Sequence, residues 1–136
     1  MSAGTTYPEP HMDADNAPFL EAWGEGRLCF PYCIDCNRVF YYPRAACPHC
    51  WSDDLQWRDM QGRGRIVAFS LVYRPNHESF NPEIPIVLAE IALPEGVSLI
   101  SRVICDDPQT VESGMAVQLI AKPDANRYPL PTFTME

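Results

Sequence analysis

Residues 33–50 read CIDCNRVFYYPRAACPHC. Two Cys-x-x-Cys pairs, Cys33/Cys36 and Cys47/Cys50, are separated by ten residues. Each pair presents two sulfurs from one tight turn, and two such turns close a tetrahedral site. Zinc accepts four thiolates at about 2.3 Å. An iron centre of rubredoxin type uses the same geometry, and spacing alone does not separate the two. A thioredoxin-like redox pair fits poorly. It needs a single pair at a helix N-terminus within a βαβ unit, whereas here there are two pairs and Pro48 sits inside the second. Four sulfurs leave no open corner for water, so the predicted role is structural. His49 lies inside the second knuckle and is expected to point outward, with Cys50 as the ligand. A site of this kind supplies ~10–16 kcal/mol of apparent binding energy, enough to fold a module with little core of its own.

Short strands are predicted around the knuckles, over residues 28–30, 39–42 and 55–58. Upstream, residues 1–15 read as a polar, proline-bearing arm. Asn16 then reads as a helix N-cap with Pro18 in the first turn. Phe19, Ala22, Trp23 and Gly26 share one helical face, and Gly24 and Gly26 stop the helix. Its aromatic stripe is expected to pack on its own domain, and docking on a partner chain is the rival reading.

Downstream, Gly62-Arg63-Gly64 reads as a flexible joint, and the sequence then changes character. Residues 65–73, 84–93, 97–105, 116–122 and 128–135 are five strand-like runs. Pro94-Glu95-Gly96 is a tight turn joining the second and third runs. Residues 107–114 have room for about one helical turn, with Asp107 as a candidate cap and Gly114 as the stop. Five strands with that insert between the third and fourth form the pattern of an OB-type Greek-key barrel. Pro129 and Pro131 make the last run an edge strand or an irregular closing segment. The expected organisation is mainly β: an N-terminal helical arm (1–27), a rubredoxin-like zinc ribbon (28–61) and a C-terminal five-stranded OB-fold (62–136).

The formal net charge is −8, from 18 acidic and 10 basic residues. Residues 60–136 carry nine acids against six bases. An anionic surface repels phosphate backbones, which disfavours a nucleic-acid partner. The first 18 residues lack the apolar core of a signal peptide. No apolar run approaches the ~20 residues that span a bilayer. A cytoplasmic location with no membrane association follows by default, and there the leftover Cys29 and Cys105 are expected as buried reduced thiols.

Catalytic groups are sparse. The chain has three histidines, His11, His49 and His77. His77 lies in the long loop between the first two barrel strands, where a general base or a solvated side chain both fit. There is no nucleophile elbow, phosphate-binding glycine loop or dinucleotide fingerprint. Asp53-Asp54 and Asp106-Asp107 flank turns and are expected in solvent.

The order of these features resembles a known family. Residues 16–23 (NAPFLEAW) lead into Cys33-Ile34-Asp35-Cys36, then Tyr42-Pro43, Cys47-Pro48-His49-Cys50, Trp57, Gly62-Arg63-Gly64 and a five-strand tail. This is similar to the zinc-ribbon OB-fold accessory proteins of acyl-CoA enzymes. Leu20 departs from the pattern, since such proteins often carry a second tryptophan there. The resemblance implies a non-catalytic subunit that binds acyl-CoA or docks on a thiolase-like enzyme, hydratase or aldolase of lipid metabolism, with zinc on the four cysteines. Whether it forms a homo-oligomer when alone stays open. Arg38, Arg63, Arg65 and Arg74 are candidates to meet CoA phosphates, with His77 beside them. The rival reading for the arginines is pairing with the surplus carboxylates. A nucleic-acid-binding ribbon and OB-fold is the alternative function, and a stand-alone enzyme using the His77 loop is the third.

Overall fold

The computed structural model describes residues 7, 10–75, 77–120 and 128–136. Helix α1 spans Ala17–Gly24. Strands β1 (Cys29–Cys33), β2 (Arg38–Val39) and β3 (Leu55–Asp59) form an antiparallel sheet in the order β2-β1-β3. Strands β4 (Arg63–Val72), β5 (Ile86–Ala92), β6 (Ser98–Ile104), β7 (Ala116–Leu119) and β8 (Thr132–Met135) close into a barrel ordered β4-β5-β6-β8-β7. β4 closes the ring on β7, and β6 and β8 run parallel. This is the OB topology the five runs predict. Among the described residues no helix is long and apolar enough to cross a membrane.

Alternation along the barrel strands builds the core. Val87, Ala89 and Ile91 of β5 and Leu99, Ser101 and Val103 of β6 point inward. Val117 and Phe133 fill the far side. The same cluster continues into Phe19, Leu28, Phe30 and Met60, so the base of the ribbon and the barrel share one apolar core. Helix α1 therefore packs on its own chain. Phe19 meets Phe30, Tyr41 and Tyr42, and the Trp23 indole donates to the Tyr128 carbonyl at 2.8 Å. Leu20 packs against this cluster from its edge.

Several local expectations need correction. Asn16 is the N-cap residue of α1 as expected, but its side chain makes no capping bond. It accepts from the Asp13 N–H and donates to the His11 carbonyl and the Tyr42 hydroxyl, because a turn at Asp13 already organises this entry. Residues 39–42 do not continue as a strand. β2 ends at Val39, and Phe40 and Tyr41 turn inward to pack. Gly62-Arg63-Gly64 is no flexible joint. Gly62 takes the left-handed φ +77, and a Cβ on Gly64 would lie 2.6 Å from the Ala92 carbonyl oxygen, so one glycine makes a turn and the other permits close backbone approach. The last run is irregular before Thr132, where its prolines lie, and then enters the barrel between β6 and β7 rather than at an edge. The end of the fourth run, residues 121–122, lies outside the described residues. Cys29 is buried, whereas Cys105 is only half-buried.

Among the described residues two 3-10 turns punctuate the barrel. One spans Pro108–Thr110 with Asp107 as its cap, as predicted. The other, Glu78–Glu83, orders what reads in the sequence as a plain loop.

Candidate metal centre and ligand cavity

The ribbon places its knuckles by local turn chemistry. Cys33 ends β1, and the Asn37 N–H returns to its carbonyl at 2.9 Å. The second knuckle repeats the device: the Trp51 N–H bonds the Cys47 carbonyl at 2.8 Å. Both turns put the residue after the second cysteine in the left-handed region, Asn37 at φ 58 and Trp51 at φ 67. The Sγ atoms of Cys33, Cys36, Cys47 and Cys50 then lie within 4.8 Å of one another. Cys33–Cys50 is 3.5 Å and Cys36–Cys47 is 3.6 Å. A tetrahedron with Zn–S bonds of 2.3 Å has edges of about 3.8 Å, so these spacings fit zinc and are far too long for disulfides. Phe40 and Leu55 pack against the buried Cys33 and Cys47. His49 is exposed and is not part of the cluster.

The electrostatics suit a divalent cation. Burial, followed by hydrogen bonds from Cys33, Cys47 and Cys50, pushes the Cys36 thiol up to about 12. Burial also opposes ionisation of Cys47, but hydrogen bonds from the backbone N–H groups of His49 and Cys50 and from the Cys36 and Cys33 thiols together outweigh it and bring that thiol down to about 7. Thiols this close ionise together only around a cation. Zinc here would cross-link β1, the β1–β2 turn and the second knuckle, with four sulfurs and no vacant corner.

A cavity of about 550 Å³ opens on the barrel. Leu88, Ile100 and Leu130 line it and are among the exposed apolar side chains of the chain. An aromatic stack walls it: Tyr7 lies 5.0 Å from Phe80 and 5.8 Å from Tyr128, ring centre to ring centre. Arg102 supplies charge. It pairs with Glu83 at 2.7 Å, and the Tyr7 hydroxyl donates to the same carboxylate. The Arg102 Nε and Nη1 are buried and have no hydrogen-bond partner among the described residues. Arg102 faces Leu88 across the β5–β6 pair.

The five candidate ligand residues fall in different places. Arg74 lines the cavity. His77 is exposed; its Nδ1 accepts the Ser79 N–H at 3.1 Å and starts the 3-10 turn that delivers Phe80 to the cavity. Arg63 and Arg65 line a separate groove of about 370 Å³. Arg63 lies 4.0 Å from Glu136, and Arg65 donates to the Gly114 carbonyl at 3.0 Å. Arg38 stands apart on β2. Sequence reasoning missed Arg102. The available signal was an arginine at an outward position of β6, two residues from Ile100.

Comparisons with known proteins agree with this architecture. The family model "ChsH2, rubredoxin-like zinc ribbon domain" matches residues 20–56, and "ChsH2, C-terminal OB-fold domain" matches residues 57–121. A "Probable enoyl-CoA hydratase alpha subunit" of Thermomonospora curvata is 33% identical over 82% of this chain and 34% of its own length. A "DUF35 domain-containing scaffold protein" of Methanothermobacter thermautotrophicus is 33% identical over 65% of this chain and 66% of its own. The chain thus spans about a third of the first relative and about two thirds of the second. A solved structure described as "Ltp2-ChsH2(DUF35) aldolase" superposes with a TM-score of 0.78 at 32% identity, covering 93% of this chain and 98% of that one. With both modules matched in order and the four zinc-ribbon cysteines in place, the chain belongs to the ChsH2-type DUF35 family of zinc-ribbon OB-fold proteins.

Proposed function

We propose that this chain is the non-catalytic subunit of an acyl-CoA enzyme of the hydratase, aldolase or thiolase-like kind, working in the cytoplasm, and that its barrel holds part of the acyl-CoA. The observation that carries this reading is the cavity: an apolar recess of ligand size, with buried N–H donors of Arg102 on its wall that have no partner among the described residues. An acyl chain suits Leu88, Ile100 and Leu130, and a thioester carbonyl suits a guanidinium with open donors. The position of Arg74 on the cavity lining supports a contact with CoA phosphate, with Arg63, Arg65, Arg38 and His77 as proposed, more distant contributors. The names of the relatives support the partnership, since they include a hydratase subunit, scaffold proteins and an aldolase complex. The closed four-thiolate site supports a scaffolding role for the metal.

Purification of the tagged chain from its native cells, with mass spectrometry of what accompanies it, tests the partnership. A thermal scan with octanoyl-CoA, CoA and octanoate tests the cavity. Octanoyl-CoA at about 100 Kd should stabilise the chain by about 2.7 kcal/mol, several degrees in Tm, and more than either fragment. No associated acyl-CoA enzyme and no thermal shift would together overturn the reading.

A further inference from the structure

Trp51 is the anomaly of the ribbon. It is 81% exposed, while Trp23 is 2% exposed and Trp57 is half-buried. It also holds φ +67, a conformation that suits glycine or asparagine and strains a bulky side chain. Asn37 takes the equivalent position in the first knuckle at φ 58 and is the residue type that turn favours. Neither burial nor backbone preference therefore accounts for tryptophan at residue 51. Exposed tryptophan on a rigid turn is a typical binding anchor, giving a large contact area at little entropic cost.

The surroundings specify the partner's chemistry. Asp35, Asp53 and Asp54 are exposed, and none joins an ion pair among the described residues. Asp35 accepts from the Ser52 hydroxyl, and that hydroxyl oxygen accepts the Asp54 N–H at 3.0 Å, which ties two of these acids to the Trp51 turn. Residues 45–57 contain no arginine or lysine. Four thiolates around one divalent ion would add further negative charge to the knuckle that Trp51 follows. A second copy of this tip would bring like charges together, and a nucleic acid would bring phosphates.

We infer that Trp51, rimmed by Asp35, Asp53 and Asp54, is a docking anchor that inserts into a basic-rimmed apolar pocket on the partner acyl-CoA enzyme. This rests on the accessory-subunit reading given above. The test uses the enzyme identified in the native purification, titrated against the full zinc-loaded chain. Wild type should show a blue shift of tryptophan emission and loss of iodide quenching on binding. Trp51→Gly and Trp51→Asn should retain zinc, melt at or above the wild-type Tm and weaken binding by about thirtyfold or more. Asp53→Asn/Asp54→Asn should slow association and flatten its salt dependence.

If no acyl-CoA enzyme accompanies the wild-type chain, the accessory reading falls and takes the anchor with it. If the enzyme binds and both Trp51 variants keep wild-type affinity, the anchor alone falls. Loss of a wild-type homodimer in Trp51→Gly, or Trp51-dependent binding of a single-stranded oligonucleotide, also overturns it.

Discussion

The metal end of the ribbon and the barrel are two solutions to one problem. The barrel buries Ile66, Val87, Ile91, Val103, Val117 and Phe133 in a continuous cluster. The metal end gathers only Cys33, Phe40 and Cys47, with Cys36 and Leu55 at the margin. At ~1.5–3 kcal/mol for each large apolar side chain fully buried, the barrel gains enough to offset much of its ordering entropy, and the metal end does not. A cation replaces the missing core. The difference shows that one short chain can hold two modules by different physics, provided a shared layer, here Phe19, Leu28 and Phe30, welds them.

The strongest way to break the comparison is to take the metal away. Zinc chelation, or Cys47→Ser, should release residues 33–54 to full amide exchange while β4, β5 and β6 stay protected. The local loss is of the order of 10 kcal/mol. Exchange mass spectrometry reads it directly. Equal deprotection of ribbon and barrel would mean that the metal holds the whole chain rather than one end.

The reverse experiment removes apolar bulk. Phe133 is fully buried and closes the barrel between β6 and β7. Phe133→Ala should cost about 3–5 kcal/mol of global stability, seen as a lower midpoint in urea, with metal content unchanged. Zinc loss in step with unfolding at low denaturant would show the two modules to be one cooperative unit.

A smaller effect belongs to Gly64. A Cβ there would sit 2.6 Å from the Ala92 carbonyl oxygen and 2.7 Å from the Ile91 Cγ2. The first neighbour is backbone and yields only by moving β5. Gly64→Ala should lose about 1–3 kcal/mol, the usual cost of overpacking. A neutral outcome in the same urea assay would mean that the β4–β5 crossing relaxes freely.

These effects divide along the line that separates what the sequence discloses from what it hides. The knuckles are legible because metal ligation fixes residue type and spacing at once. The barrel strands are legible through alternation, and the Pro94–Gly96 turn through its residue chemistry. Gly62 and Gly64 mislead, because glycine marks both loose joints and the tightest crossings, and only the partner strand distinguishes them. The 3-10 turn at Glu78–Glu83 is hidden because it depends on a side-chain bond from His77. Arg102 is hidden because its partner, Glu83, is nineteen residues away in sequence and its cavity is built by segments that meet only in the fold.

Tyr41 lies where the two regions join, and its titration sharpens the comparison most finely. It packs on Phe30 at 5.2 Å and on Phe19 at 5.8 Å, and it also lines the barrel cavity. Burial, with a lesser contribution from neighbouring Tyr42, pushes its phenol from 10.0 up to about 12. Between those values the unfolded chain gives up this proton while the folded chain keeps it. Stability from Tyr41 is therefore fully present below pH 10 and drains away as pH climbs towards 12. Absorbance at the tyrosinate band should show a late-titrating component that is absent in Tyr41→Phe. The variant's Tm should also fall less steeply across that window. A titration curve unchanged by Tyr41→Phe would loosen the weld between ribbon and barrel.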